Sequence, residues 1–310
     1  MITTLTLDPA VDKTIFVSRM ILGDVNRVND SHLDPAGKGI NVSRMVHRLG
    51  WPTIALGFLA GHLGRLAEEA LRAEGVQSHF LYVDGETRLN VTIVDEATST
   101  HTSFYDRGPA VSSRDLEDLD KLLARWMHAS KVLVLAGSLP PGVPDDIYAR
   151  YIGEAHSVGV KAIVDTHGKP LKLALAAHPD LIKPNLAEAE ALVGRPLPDI
   201  ATIAAEAQCL ASTRASIVVI SMGSRGAVCA YAGKAWRIVP PAVTRRSTVG
   251  SGDSMVAGLA IALASGEDLM EGLKLGTAAG AATAMTAGTA LGTRAEVNDL
   301  LPKVQIEELA

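Results

Sequence analysis

At 310 residues, with 47% apolar and 20% charged residues, the chain is long enough for one large α/β domain, or a domain with a small appendage, around a sizeable core. That balance excludes a disordered chain, and a formal net charge of −5 excludes the broad basic footprint of a general nucleic-acid binder. The most apolar long stretch, 255–264, is broken by Gly258 and too short to span a bilayer. Met1-Ile2-Thr3-Thr4-Leu5 lacks the basic region and apolar run of a signal peptide, and the two cysteines, Cys209 and Cys229, form no CxxC pair. The expectation is a cytoplasmic protein with reduced thiols and no nucleic-acid or membrane partner.

In chain order, β-branched runs at 2–7, 132–135, 162–165, 181–183 and 217–221 read as buried strands. Helix-like stretches at 41–49, 63–73, 116–128, 145–158 and 200–212 lie between most of them. This alternation predicts βαβ units, a parallel sheet and helices on both faces. Residues 14–33 and 88–105 break the rhythm with alternating polar and apolar positions, most clearly in Asn90-Val91-Thr92-Ile93-Val94. They read as a small antiparallel flap inserted into the body, with an apolar face that a substrate or a partner subunit would cover. Runs at 227–231 and 235–239 around Ala232-Gly233-Lys234 predict a hairpin at the sheet edge. The last third, at 254–265 and 269–286, is helical and rich in Ala and Gly, as closely packed helices require.

The segment with most chemistry is Ser247-Thr248-Val249-Gly250-Ser251-Gly252-Asp253-Ser254, a glycine-punctuated loop entering a helix. Successive N–H groups and the positive end of the helix form a nest for an anion such as a transferring phosphoryl group. Asp253 at that helix start is either a capping carboxylate or a base for an attacking hydroxyl. Gly37-Lys38-Gly39-Ile40-Asn41-Val42 opens the first long helix, where the glycines allow a ligand to approach the backbone, Lys38 offers a point charge and Asn41 a fixed donor and acceptor. Gly39 stands where a Walker loop needs Ser or Thr, so the segment is not one. Asn185 and Glu188 share one face of a helical turn and read either as a seat for hydrated Mg²⁺ or as a capping box. Ser221-Met222-Gly223-Ser224-Arg225-Gly226 follows a strand, where ligands bind in open α/β sheets. The nine histidines include no HExxH, there is no Gly-x-Gly-x-x-Gly, and Val256 stands where a nucleophile elbow at Ser254 needs glycine.

These pieces, in this order from Leu5 to about Val304, resemble the PfkB/ribokinase family of carbohydrate kinases. Its N-terminal Gly-Gly motif appears as Ala36-Gly37-Lys38-Gly39 and its C-terminal motif as Gly250-Ser251-Gly252-Asp253. Leu7-Asp8-Pro9-Ala10-Val11-Asp12, Glu86-Thr87-Arg88-Leu89-Asn90-Val91 and Ala136-Gly137-Ser138-Leu139-Pro140 are similar to the phosphofructokinase branch, whose substrates already carry a phosphate. The resemblance implies a ribokinase-like three-layer α/β/α fold with a mostly parallel central sheet and a small antiparallel β lid. The body would be 1–11, 36–87 and 107–310, and the lid 12–35 and 88–106, with the lid also the interface of a homodimer.

The resemblance further implies ATP as donor, Mg²⁺, a K⁺ site near Ser247 and Val249, and a phosphorylated ketohexose as acceptor. D-fructose 1-phosphate is the first expectation, with tagatose 6-phosphate and fructose 6-phosphate after it. A non-catalytic sugar-phosphate sensor would show a degraded motif, and Asp253 and the Gly250–Gly252 cradle are intact. Asp253 would take the proton, and the Gly250, Ser251, Gly252 and Asp253 amides would form the anion hole. Asp12, Asn41 and Ser138, with Gly37 and Gly39, would line the sugar site. Lys38, Arg88 and, less directly, Arg27 would meet the phosphate already present. Lys183, Asn185, Ser221, Gly223, Gly226, Thr248, Gly250 and Gly252 would lie at the nucleotide, and Glu188 with Asn185 at the metal. Departures from the family are Asp8 for Asn, Ala36 for Gly and Ser251 for Ala, and Asp8 is expected to alter the floor of the sugar site. Lys38 favours the 1-phosphofructokinase and tagatose-6-phosphate branches over the minor 6-phosphofructokinases.

Overall fold

The structure is a computed structural model that describes residues 1–98 and 100–309; Ser99, inside the expected lid segment, and Ala310 lie outside the described residues. The chain runs β1 (Ile2–Thr6), β2 (Ala10–Val17), β3 (Asp30–Ala36), α1 (Lys38–Arg48), β4 (Thr53–Ala60), α2 (Gly61–Ala73) and β5 (Gln77–Val83). It continues through β6 (Arg88–Asp95), β7 (Thr100–Phe104), α3 (Ser113–Met127), β8 (Val132–Ala136), α4 (Ile147–Ser157), β9 (Lys161–Asp165), α5 (Gly168–Ala174) and β10 (Leu181–Ile182). The last part holds α6 (Leu186–Val193), α7 (Ile200–Thr213), β11 (Ile217–Ser221), β12 (Ala227–Tyr231), β13 (Lys234–Val239), α8 (Ser251–Ser265), α9 (Leu269–Ala284), α10 (Arg294–Leu300) and β14 (Gln305–Leu309).

Ten strands form the main sheet in the order β14-β13-β12-β11-β10-β9-β8-β1-β4-β5. Pairing is parallel from β11 to β5 and antiparallel from β11 to β14. Side chains alternate between the two faces. On β8, Leu133 and Leu135 join a core with α3, α4, α5 and α7, whereas Val132, Val134 and Ala136 join one with α1, α8, α9 and α10. A smaller cluster seats α2 through Ala67 and Leu71 on Ala55, Leu59 and Phe80. The result is a three-layer α/β architecture. Strand order reverses at β1, which lies between β4 and β8, so a crevice opens at its carboxyl end where open α/β sheets bind ligands.

The second sheet has the order β3-β2-β6-β7 and springs from that same end. The expected antiparallel pairing holds for β2–β3 and β6–β7, and the central pair β2–β6 runs parallel. The reason is topological. β2 leaves the carboxyl end of β1 and β6 leaves that of β5, and those two strands point the same way. Residues 18–29, inside the segment expected to alternate as strand, form an exposed connection between β2 and β3.

Three strands lie outside the expected elements. β4 is buried at every position, so its sequence carries no alternation to mark it, and β5 follows it at the sheet edge. β14 pairs antiparallel with β13, so the β12–β13 hairpin is not at the edge as expected.

The small residues of α8 and α9 bring those helices into backbone contact. A Cβ on Gly258 would lie 2.3 Å from the Gly276 nitrogen, and one on Gly276 would lie 2.5 Å from the Met255 carbonyl oxygen. This contact fixes where α8 begins. Replacing Gly258 with Val should therefore destabilise the protein by about 1–3 kcal/mol in a denaturant titration, since the facing backbone cannot yield cheaply. An unchanged midpoint would show that the helices do not touch there.

Candidate active site

α8 starts at the crevice and starts without a side-chain cap. Gly250 is its N-cap, in the left-handed region at φ 77°, and leads the chain from the 240–249 loop into the helix. Asp253 is in the first turn but is not the cap, which removes the capping reading of that carboxylate. The first-turn N–H groups thus point out of the helix end with no side chain to satisfy them. Among the described residues Ser251 Oγ is buried with no hydrogen-bond partner, and the Thr248 carbonyl accepts from the Ser251 N–H at 3.4 Å.

Asp253 is 7% exposed, and its Oδ2 accepts a 2.8 Å hydrogen bond from Asn41 Nδ2. Burial, reinforced by the nearby Asp165 carboxylate, pushes the Asp253 carboxyl up to about 6 against the pull of Asn41, Lys38 and Lys183. The group is therefore a carboxylate at neutral pH and a stronger base than an exposed aspartate. Asn41 is oriented in turn by α1: Arg44, one turn on and 2% exposed, donates from Nη1 to the Pro35 carbonyl at 3.2 Å and to Asn41 Oδ1 at 3.5 Å. The Asn41 oxygen faces that cation, and its amide nitrogen faces the carboxylate.

The space a side chain would fill at Gly37 and Gly39 is occupied by Thr6 of β1, at 2.7 Å and 2.5 Å from the respective Cβ positions. These glycines therefore serve the seating of α1 on β1.

The sugar-side candidates converge on a carboxylate at the end of β1. Arg88 Nη2 donates to the Asp8 carbonyl at 2.8 Å and its Nε lies 3.3 Å from Asp8 Oδ1. Ser138 Oγ donates to Asp8 Oδ2 at 2.8 Å. Asp8 is thus the hub of this half, and Gly108 packs so closely on it that a Cβ there would lie 2.2 Å from Oδ1. Asp12 sits opposite Asn90 in the β2–β6 register and accepts 2.8 Å from Asn90 Nδ2. Burial raises the Asp12 carboxyl, and Asn90 and Arg88 oppose the rise. Asn90 is absent from the expected site residues, although it shares a face of β6 with Arg88. Arg27 lies apart from this group, exposed on the 18–29 connection.

Lys38 from the sugar-phosphate candidates and Lys183 from the nucleotide candidates meet on Asp165, a 1%-exposed carboxylate at the end of β9 that the sequence reading missed. Lys38 Nζ is 2.9 Å from its Oδ1 and Lys183 Nζ is 3.3 Å from its Oδ2. Burial pushes the Asp165 carboxyl up, but Lys183 and Lys38 outweigh it and hold it below the usual carboxylate range. A Cβ on Gly252 would lie 3.2 Å from Lys183 Nζ, so this ammonium also borders the N–H cradle. Asn185 and Glu188 form the reciprocal capping box at the start of α6, and Glu188 Oε1 still faces Lys38 Nζ at 3.7 Å.

Asn185 bridges to Ser221, which aligns the turns after β10 and β11. Gly223, at φ 60°, faces open space, whereas a Cβ on Gly226 would lie 1.9 Å from the Ile238 carbonyl, so Gly226 is required by packing. Beside Asn185 and Glu188 a groove of about 800 Å³ runs along α5 and α6 past His167 and Lys172 without reaching Asp253.

Among the described residues no group of three or more His, Cys, Asp or Glu side chains could hold a metal by itself. Mg²⁺ keeps several waters and takes one or two carboxylates plus phosphate oxygens, and Glu188 with Asp165 suits that demand.

Comparison with known proteins agrees with this arrangement. A family model described as pfkB family carbohydrate kinase matches residues 5–296. A 1-phosphofructokinase of Xanthomonas campestris pv. campestris is 38% identical over 264 residues, 84% of this chain and 83% of the relative. A tagatose-6-phosphate kinase of Staphylococcus epidermidis is 31% identical over 312 residues, 100% of both chains. Among solved structures, phosphofructokinase-2 from Escherichia coli in complex with potassium superposes with a TM-score of 0.91 at 32% identity, over 97% of this chain and 98% of that one.

The electrostatics of the site predict a titration. A ¹³C-NMR titration of the Asp253 carboxyl should show a midpoint at about 6. Asn41→Leu should move it further up, because the lost hydrogen bond favours the charged form. A midpoint near that of an exposed aspartate would contradict the burial seen here.

Proposed function

We propose that this chain, which belongs to the pfkB family of carbohydrate kinases, phosphorylates D-fructose 1-phosphate with ATP, giving D-fructose 1,6-bisphosphate and ADP. The observation that carries the reading is the convergence of a buried carboxylate, Asp253, with the uncapped first turn of α8. Phosphoryl transfer needs positioning, a proton acceptor and charge stabilisation, with little covalent work for the protein.

In this reading the sugar phosphate lies under the lid, between Asp12, Asn41 and the Asp8 hub, with the Arg88 guanidinium toward its phosphate. Asp253 accepts the proton of the attacking hydroxyl while Asn41 holds the carboxylate in line. The Gly250–Asp253 N–H groups and Lys183 face the charge that spreads over the transferring group. Glu188, Asp165 and Asn185 would hold Mg²⁺, which neutralises charge on the donor's phosphates when bound. ATP would extend from the cradle over Thr248 toward Ser221 and Gly223. A K⁺ site near Ser247 and Val249 is supported by the likeness to phosphofructokinase-2 from Escherichia coli in complex with potassium. Tagatose 6-phosphate is the second reading for the acceptor, favoured by the full-length match to a tagatose-6-phosphate kinase.

The lid, with segments 12–35 and 88–106, supports a homodimer, because its apolar residues lack cover within one chain. Leu22 is 84% exposed, Val25 83% and Tyr105 72%, apolar surface that a second copy would cover.

In a coupled ADP-release assay, D-fructose 1-phosphate should give a higher kcat/KM than tagatose 6-phosphate, fructose 6-phosphate or unphosphorylated sugars. Asp253→Asn should lower kcat by about 100-fold or more with KM little changed. The active form is the deprotonated base, so kcat/KM should fall as pH drops through about 6. Retained turnover in a folded Asp253→Asn protein would remove Asp253 from the role. Light scattering should report a dimer at micromolar concentration, and Leu22→Asp with Val25→Asp should yield monomers. A wild-type monomer would exclude the lid interface.

A further inference from the structure

Lys38 opens α1 and was expected beside the phosphate that the sugar already carries. Its ammonium is 2.9 Å from Asp165 Oδ1 and 3.7 Å from Glu188 Oε1. Both carboxylates belong to the nucleotide half of the site, one ending β9 and the other in the first turn of α6. Among the described residues no hydrogen bond or ion pair joins Lys38 to Asp8, Asp12 or Arg88, the charged groups of the sugar half. Asp165 is bracketed, with Lys38 on one oxygen and Lys183 on the other.

The two lysines are not equivalent. Lys183 is 5% exposed along its side chain and locked in place, whereas Lys38 is 30% exposed on a flexible stem. Lys38 therefore has both the partners of a counter-ion and the freedom to leave them.

We propose that Lys38 is the resident counter-ion of the nucleotide-side carboxylates, competing with the divalent cation for Asp165 and Glu188 and serving the transferring phosphoryl group rather than the phosphate already on the sugar. The catalytic half of this statement rests on the kinase reading above; the competition for the carboxylates does not. The charges explain why one side chain would do both. Asp165, Glu188 and deprotonated Asp253 face Lys38 and Lys183. Asp165 and Glu188 would hold a divalent cation in place of the ammonium, and the donor's phosphates would bring new anionic oxygens beside Lys38. The released ammonium then finds its nearest uncompensated charge on the phosphoryl group. Burial disfavours charge on Lys38, but Asp165 and Glu188 outweigh it and raise its affinity for the proton, so it is an ammonium where it meets them.

The test uses Mn²⁺ as the probe on the full chain without nucleotide, followed by electron paramagnetic resonance of the free ion. Lys38→Met should bind Mn²⁺ about tenfold more tightly than wild type, the scale on which a neighbouring opposite charge acts on a carboxylate. Lys38→Arg, which keeps the charge, should bind it as wild type does. In steady state, Lys38→Met should lower kcat by about 100-fold and leave the KM for the sugar phosphate within about twofold. Circular dichroism checks the fold, and Lys38→Gln is the second neutral variant should Lys38→Met not fold.

Mn²⁺ affinity that stays level or weakens in the neutral variants would overturn the counter-ion role. A KM for the sugar phosphate raised about tenfold or more with kcat preserved would return Lys38 to the sugar's own phosphate. Wild-type protein that releases no ADP with any sugar phosphate would sink the kinase reading instead, while the Mn²⁺ comparison would still decide the competition.

Discussion

The structure turns on one hydrogen bond between the first and last thirds of the chain, from Asn41 Nδ2 to Asp253 Oδ2 at 2.8 Å. Burying a carboxylate is costly, and the cost appears as the upward shift of its proton affinity. Asn41, Lys38 and Lys183 oppose that shift and keep Asp253 charged near neutrality. A fully solvated aspartate would be a weaker base, and an unpaired buried one would hold its proton at pH 7. The useful range lies between these limits, and only donors from α1 and from the end of β10 keep the group there.

Around that contact the site divides into two halves, each organised by a carboxylate at the carboxyl end of a parallel strand. Asp8 after β1 collects Arg88 and Ser138, and Asp165 at the end of β9 collects Lys38 and Lys183. The division follows from topology. Strand order reverses at β1, the lid strands leave from β1 and β5, and the turns that carry Lys183, Asn185 and Gly223 follow β10 and β11. Glycines allow the helices that carry the site to pack closely. Gly258 and Gly276 let α8 lie against α9, and Gly37 and Gly39 let α1 lie against Thr6. The cradle and Asn41 are thereby brought into register by close backbone packing rather than by side-chain bulk.

Much of this was legible in the sequence because its signal is local. Residues 217–221 form a strand with the bounds expected, and the Ile200 helix ends one residue beyond expectation. The glycine-punctuated entry to a helix at Gly250–Asp253 was legible in the spacing, and the absence of a side-chain cap there was decided by the structure. What escaped had no local signature. β4 is buried on both faces and does not alternate, and β14 lies far in sequence from β13. Asp165 ends an ordinary strand, and nothing nearby in the sequence shows that two lysines, one of them 127 residues away, will meet it.

Periodicity, turn chemistry and glycine placement act over a few residues, so the sequence by itself determined the α/β alternation, the flap segments and the N–H cradle, while the family resemblance singled out Asp253 as the candidate base. The partner of each charge was decided only in three dimensions, because an ion pair depends on which strand ends the sheet order brings together. Lys38 shows the difference. Its position at the mouth of the site could be read from Gly37-Lys38-Gly39, but its attachment to Asp165 and Glu188 exists only once β9 and α6 have been set beside α1.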